Sequence, residues 1–260
     1  MGVSERFQGA NVIDAGRLSP YWGEHAARYR FALAKVEGKR VLDIACGTGY
    51  GIGLLQRSAR FVCGVDVDNE AARQARSECD ENAAVILGDG LRLPFRDASF
   101  DVVTSFETVE HIHDRPAFLR ELYRILAPEG CLLISTPNAH YTRPVDGKPS
   151  NPFHIYEYTP EEFAEELSKV FLIEEHLGQS LEIGESISPF YQDQQRLPRN
   201  PAIQARLFGW KVMNKFPLGL RESLSEIIWK RPFYPTEADY AFSREKLRQA
   251  PVQIAVCRKK

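Results

Sequence analysis

The stretch Val41-Leu42-Asp43-Ile44-Ala45-Cys46-Gly47-Thr48-Gly49-Tyr50-Gly51-Ile52-Gly53-Leu54-Leu55 decides the fold. Val41, Leu42 and Ile44 form the apolar run expected of a strand buried on both faces, and Asp43 places a carboxylate inside it. Gly47, Gly49 and Gly51 follow, and a helical apolar pattern starts near Ile52. A strand, a glycine turn and a helix in that order bring unpaired backbone N–H groups close to a ligand. That is the construction of a nucleotide-cofactor site.

Outward from this stretch, strands are expected over 61–67, 84–87, 100–106 and 131–136. Helices are expected over 21–36, 69–81 and 115–126. Their alternation predicts an α/β fold with a doubly wound, mostly parallel sheet. Thr159 and Pro160 open a further helix as N-cap and first helical residue. A sixth strand is expected over 171–175 and a seventh over 252–257. Residues 139–153 read as a loop. Residues 1–19 read as a flexible start and 20–260 as a single domain, in which 184–250 is a helical insertion.

Composition sets outer limits. The chain has 260 residues and a net charge of -2, which gives no global argument for a nucleic-acid partner. Its five cysteines are scattered and odd in number, without a Cys-x-x-Cys pair, so neither a disulfide framework nor a zinc knuckle is expected. The first eleven residues lack an apolar signal core, and no apolar run approaches the ~20 residues that span a bilayer. A cytoplasmic location is the expectation.

Asp66 closes the second strand, where a carboxylate can accept both hydroxyls of a ribose. A nicotinamide site shares that feature, but three others separate the two. Ile52 stands where G-x-G-x-x-G has its third glycine. Asp43 precedes the glycines, where it would repel a pyrophosphate and attract an ammonium group. Gly88-Asp89-Gly90-Leu91 offers a polar and an apolar group to a purine ring.

With D-I-A-C-G-T-G-Y-G, G-V-D-V, G-D-G-L-R-L-P-F and S-F-D-V-V-T-S in this order, the chain resembles the class I S-adenosylmethionine-dependent methyltransferases over about residues 21–171. The resemblance implies a Rossmann-like methyltransferase fold with an antiparallel last strand, Val252 to Cys257. It also implies S-adenosyl-L-methionine as cofactor. Asp43 and Gly47 would lie near its methionine portion, Asp66 near the ribose, and Asp89 and Leu91 near the adenine. Ala45, Tyr50, Val67, Gly90 and Phe106 would complete the cofactor site. Arg28-Tyr29 looks like the pair that covers the methionine end in similar enzymes, although Arg28 also reads as a solvated helix charge.

The reacting groups are expected after the fourth strand, in Phe106-Glu107-Thr108-Val109-Glu110-His111-Ile112. In a helical turn Glu107, Glu110 and His111 share one face. Two carboxylates and an imidazole so placed suit a divalent cation. The combination E-x-x-E-H with the later His154 in H-I-Y-E resembles ubiquinone-biosynthesis O-methyltransferases and small-RNA 3′-terminal 2′-O-methyltransferases. That resemblance implies a metal on Glu107, Glu110, His111 and His154, with magnesium preferred and manganese or zinc open. Without a metal, His111 is the first choice of general base, and His113 and Asp114 read as helix-entry residues.

Residues 196–231 carry many cations and few acids, with Ile203, Leu207, Trp210 and Met213 at helical spacing. The favoured reading is a lid helix packed on the core. The sharper ones are a peripheral contact with anionic lipid or a cradle for a phosphate-bearing substrate. Tyr141, Arg143, Phe153, Tyr156, Phe190 and Tyr191 are expected to roof the acceptor. The leading expectation is a metal-assisted O-methyltransferase of a sugar, glycan or small molecule. A 2′-O-methyltransferase of RNA ends and a noncatalytic cofactor-binding scaffold stand as alternatives, with a dehydrogenase further behind.

Overall fold

The computed structural model describes residues 22–149, 151–182 and 201–260. The expected flexible start and the expected roof residues Phe190 and Tyr191 lie outside them. In chain order come α1 (Trp22–Val36), β1 (Arg40–Ile44), α2 (Tyr50–Leu55), β2 (Phe61–Asp66), α3 (Asn69–Ala75), β3 (Ala83–Leu87), β4 (Phe100–Phe106) and α4 (Arg115–Ile125). Then follow β5 (Leu126–Pro137), the single turn α5 (Ala139–Thr142), α6 (Pro160–Ser168), β6 (Phe171–Leu181), α7 (Pro201–Met213), α8 (Leu218–Trp229), β7 (Tyr240–Ser243) and β8 (Val252–Lys259).

The strands form one sheet in the order β3-β2-β1-β4-β5-β8-β6-β7. β1 runs parallel to both β2 and β4, and β8 runs antiparallel to β5 and β6. The mostly parallel sheet and its antiparallel last strand are as expected. Among the described residues the sheet has eight strands instead of seven, because Tyr240–Ser243 adds one. Four half-buried residues are too few to show an alternating pattern. Two expected elements also change length. The helix after β2 ends at Ala75 and tightens into a 3-10 turn over Arg76–Glu78, where Ser77 is a weak helix former. β6 runs on to Leu181 through Gly178, Gln179 and Ser180, residues that carry little strand signal.

The topology positions the site. The chain moves outward from β1 to β2 and β3, then crosses back to place β4 on the other flank of β1. Open α/β sheets bind ligands outside the carboxyl ends of strands at this reversal. Ala45 (φ 55°) and Glu107 (φ 52°) immediately follow β1 and β4, and both occupy the left-handed region that non-glycine residues rarely adopt.

Alternation along the strands divides the core. Leu42, Ile44 and Val103 pack with Phe118, Leu119 and Leu122 of α4. Val41, Val62 and Val102 belong with Tyr29, Ala32, Ile52 and Leu55 on the opposite face. Asp43 and Thr104 share the second face by the two-residue period of strands. Pairing between β1 and β4 sets them opposite each other. α6 begins with a full capping box, in which Thr159 and Glu162 satisfy each other's backbone N–H groups.

The chain divides into two compact units. One comprises Arg28–Ser180 and Phe242–Lys260 and carries the sheet core; the other includes Leu181–Ala241. The second has its own small apolar cluster of Trp210, Met213, Phe233 and Tyr234. Within it Trp210 stacks on Phe233 at 4.7 Å. Ser225 Oγ donates to the Arg231 carbonyl at 2.8 Å.

Gly49 is the N-cap of α2 at φ 92°, and a Cβ there would sit 2.7 Å from Ala75 Cα. Substituting Gly49→Ala therefore adds left-handed strain to a backbone clash, for a loss of about 2–4 kcal/mol. Urea denaturation at neutral pH measures it. An unchanged midpoint would mean that the turn does not depend on this approach.

Candidate active site

Asp43 is wholly buried at the end of β1. Thr104 Oγ1 donates to its Oδ1 at 2.7 Å, and Tyr29 OH donates to its Oδ2 at 3.1 Å. Burial pushes the carboxyl up to about 7, while the bonds from Thr104 and Tyr29 partly oppose the shift. Tyr29 is held edge-on by Tyr50 at 5.3 Å and Phe106 at 5.1 Å. Its ring fills the space beside Gly51, where a Cβ would lie 2.1 Å from Tyr29 Cζ. Gly51 is thus required for Tyr29 to reach Asp43.

Arg28 is not a solvated helix charge. It is 1% exposed, and Nη1 donates to Gln179 Oε1 on β6 at 2.9 Å. Asp66 accepts from Gly47 N at 2.9 Å and from Asp68 N at 2.8 Å, so it also fastens the glycine turn to β2. Asp89 accepts from Leu91 N at 2.9 Å and shapes the turn that contains Gly90. Val67 is 69% exposed, and Leu87 and Leu91 are exposed too. These three apolar residues lie after β2, at the end of β3 and in the following turn, where a flat apolar ligand would shield them.

The second set of groups lies after β4. Val109–His111 is a single 3-10 turn, and Glu107 precedes it. Glu107 therefore does not share a helical face with Glu110 and His111 as expected. Its carboxylate accepts from Ser135 Oγ at 2.7 Å. Glu110, His111 and His154 do come together, with one potential ligand atom of each within 4.8 Å of the others. So three of the four expected metal ligands converge, and Glu107 is held by β5.

Glu110 is fully buried. Its Oε2 accepts from Thr136 Oγ1 at 3.0 Å, and its Oε1 has no hydrogen-bond partner among the described residues. Burial and the neighbouring charge of Glu107 push its carboxyl up. His111 Nδ1 lies 3.0 Å from the Phe153 carbonyl. A carbonyl only accepts, so Nδ1 carries the proton and Nε2 the lone pair. His154 Nδ1 lies 2.6 Å from Glu157 Oε1. Burial pushes the Glu157 carboxyl up, but bonds from His154 and Thr142 outweigh it and hold it below the usual range. Glu157 is thus an ionised acceptor, and His154 has the same tautomer as His111. The imidazoles meet edge-to-face at 4.9 Å. A carboxylate oriented by a hydroxyl and two imidazoles oriented through Nδ1 are the supports that metal ligands and general bases both need.

Several of these supports escape sequence reasoning. Thr104 and Thr136 look like ordinary strand residues, and Gln179 looks like part of a polar loop. Glu157 carried a signal, three residues after His154 in H-I-Y-E. Asp114 caps α4 by accepting from Ala117 N, in keeping with its reading as a helix-entry residue. Of the expected roof, Tyr156 is drawn elsewhere. It donates to Glu162 at 2.9 Å and lies under the Arg115 guanidinium at 4.7 Å. Tyr141 lies in α5, Arg143 caps its end, and Phe153 is exposed.

Residues 42–134 match the methyltransferase domain family. The chain is 36% identical over 160 residues to a probable S-adenosylmethionine-dependent methyltransferase of Mycolicibacterium smegmatis, covering 61% of this chain and 62% of that protein. It thus spans about three fifths of the length of that relative. Among solved structures, a [4+2]-cyclase is similar with a TM-score of 0.59 at 19% identity, covering 92% of this chain and 83% of that one. An S-adenosylmethionine-dependent methyltransferase from Mesorhizobium loti follows with a TM-score of 0.55 at 18% identity, covering 93% and 98%. The fold is the Rossmann-like methyltransferase fold. A cyclase on the same fold means that the reaction must be argued from the site.

Asp43 titrates near 7 in the folded chain and near 3.9 when unfolded, so the folded state binds the extra proton between these values. Stability contributed by this group is therefore greatest at low pH and falls as pH rises towards 7. Relative to Asp43→Asn, the protein loses about 2 kcal/mol of stability between pH 5 and pH 7. Paired urea titrations at the two values measure the difference. Parallel pH profiles would place an ordinary carboxylate at position 43.

Proposed function

We propose that the chain is an S-adenosylmethionine-dependent O-methyltransferase in which Glu110, His111 and His154 hold a divalent metal beside the acceptor hydroxyl. Methyl transfer from this cofactor is supported by the match over 42–134 and by Asp43, a buried carboxylate near the carboxyl end of β1 that suits the cofactor's ammonium group. The observation that carries the oxygen acceptor and the metal is Glu110. It is buried with one oxygen lacking a partner among the described residues, and one potential ligand atom each of Glu110, His111 and His154 lies within 4.8 Å of the others.

The cofactor carries its own leaving group, so the protein's tasks are placement and electrostatics. The Asp43 carboxylate, fixed by Thr104 and Tyr29, orients the methionine end. Asp66 offers its remaining lone pairs to the ribose, and Val67, Leu87 and Leu91 cover the base. A bound divalent cation supplies Lewis-acid polarisation, which lowers the pKa of an oxygen it binds. Two imidazoles and one carboxylate favour zinc or manganese over magnesium, which prefers an all-oxygen shell. For Glu107 to join as a fourth ligand it must turn its second oxygen, Oε2, towards the other three, because Oε1 accepts from Ser135.

A metal-free reading has one observation in its favour. Asn151 Nδ2 lies 3.0 Å from His154 Nε2 and donates to it, so an amide already occupies that lone pair. In this reading His111 is the general base. The acceptor in either case is a sugar, glycan or small molecule with a hydroxyl within reach of the two imidazoles.

The test is S-adenosylhomocysteine release with a panel of sugars, catechols and RNA 3′ ends, repeated in excess chelator and after return of zinc, manganese or magnesium. Turnover stops with chelator and returns with zinc or manganese. Glu110→Gln lowers kcat at least a hundredfold and changes S-adenosylhomocysteine affinity less than about threefold, an effect on the reacting centre and not on cofactor binding. Full activity in chelator would select the metal-free reading. Cofactor binding without turnover across acceptors supplied by the host cell would select the scaffold.

A further inference from the structure

Among the described residues, the densest group of exposed apolar side chains lies far in sequence from the site residues, within the second unit. Phe208 (70% exposed), Val212, Phe216, Leu218, Leu220, Ile227 (67%) and Ile228 (58%) occupy α7, α8 and the turn between them. They are not needed for the unit's own core. That core uses other residues of the same elements, with Trp210 and Met213 of α7 buried against Phe233 and Tyr234. Helical geometry separates the two roles, because Phe208 and Val212 are four residues apart on the side of α7 opposite Trp210 and Met213. Lys211 and Lys215 are likewise four apart and border the apolar stripe.

Charge follows the same segment. Residues 201–231 contain six basic and two acidic residues, in a chain whose net charge is -2. Among the described side chains, two of these are committed inside the unit. Arg221 lies over the rings of Phe233 and Tyr234 at 5.2 and 5.3 Å, and Arg231 is paired with Asp239. Lys211, Lys215 and Lys230 are exposed beside the apolar side chains.

We propose that the α7–α8 segment docks on an anionic lipid surface. Phe208, Val212, Leu220 and Ile227 enter the boundary between headgroups and acyl chains, and the lysines meet the phosphates. No helix among the described residues is long and apolar enough to cross a membrane, so the segment lies on the surface. A nucleic acid would use the lysines but leave the isoleucines and leucines in water. A second copy docked through the same face would set lysines against lysines across a two-fold axis. The lipid surface satisfies both features together. This inference does not depend on the reaction proposed above.

Flotation of the full chain with phosphatidylglycerol/phosphatidylcholine vesicles, and with phosphatidylcholine alone, tests it. The protein floats with the anionic vesicles and at least tenfold less with the neutral ones. Phe208→Ser combined with Ile227→Ser reduces flotation at least tenfold, and Lys211→Glu combined with Lys215→Glu does so by a similar factor that 0.5 M salt reproduces. Circular dichroism confirms that both variants stay folded. Failure to float, or equal flotation with both vesicle types, would overturn the proposal. So would a concentration-dependent dimer that the serine variant abolishes, since the face would then belong to a second copy.

Discussion

A carboxylate buried at the end of a central parallel strand is expensive unless its environment is built around it. At Asp43 two hydroxyls do this, one from the neighbouring strand and one from the helix before the sheet. Thr104 is available because β1 and β4 pair in a register that sets it opposite Asp43. Tyr29 is available because α1 packs on that face and Gly51 leaves room for its ring. The glycine turn is in turn tied to β2, where Asp66 accepts from Gly47. A raised proton affinity remains as the cost, and a cationic ligand relieves it.

The second pole of the site has similar construction from different parts. Glu110 receives a hydroxyl from β5, His111 is oriented by a backbone carbonyl, and His154 is oriented by Glu157. Each of the three groups is thus fixed by the scaffold through at least one atom. The left-handed backbone at Ala45 and Glu107 marks where both chains of residues leave the sheet. Such strain persists only where surrounding contacts enforce it.

Much of this was legible in the chain itself. The strand 100–106 reads clearly because Phe100, Val102 and Val103 are flanked by turn residues, and the glycine spacing after Val41 separates this site from a dinucleotide loop. The Thr159 cap was legible because its chemistry is local. What escaped depends on long-range partners or rare backbone angles. Arg28 looks like any helix arginine until β6 brings Gln179 to it. Glu107 looks like a helical residue because nothing in glutamate announces a positive φ. Tyr240–Ser243 is too short for periodicity to speak, and Thr104 and Thr136 differ from core residues only by a hydroxyl.

The proposed function assigns the cofactor's ammonium group to Asp43. Isothermal titration with S-adenosylhomocysteine at pH 6 and pH 8, on the intact chain and on Asp43→Asn, tests it most directly. With a carboxyl near 7, binding that requires the ionised form strengthens about tenfold between the two values. The account predicts that gain in the intact chain, and weak, pH-independent binding in the asparagine variant. Equal affinities for the two proteins at both values would contradict it.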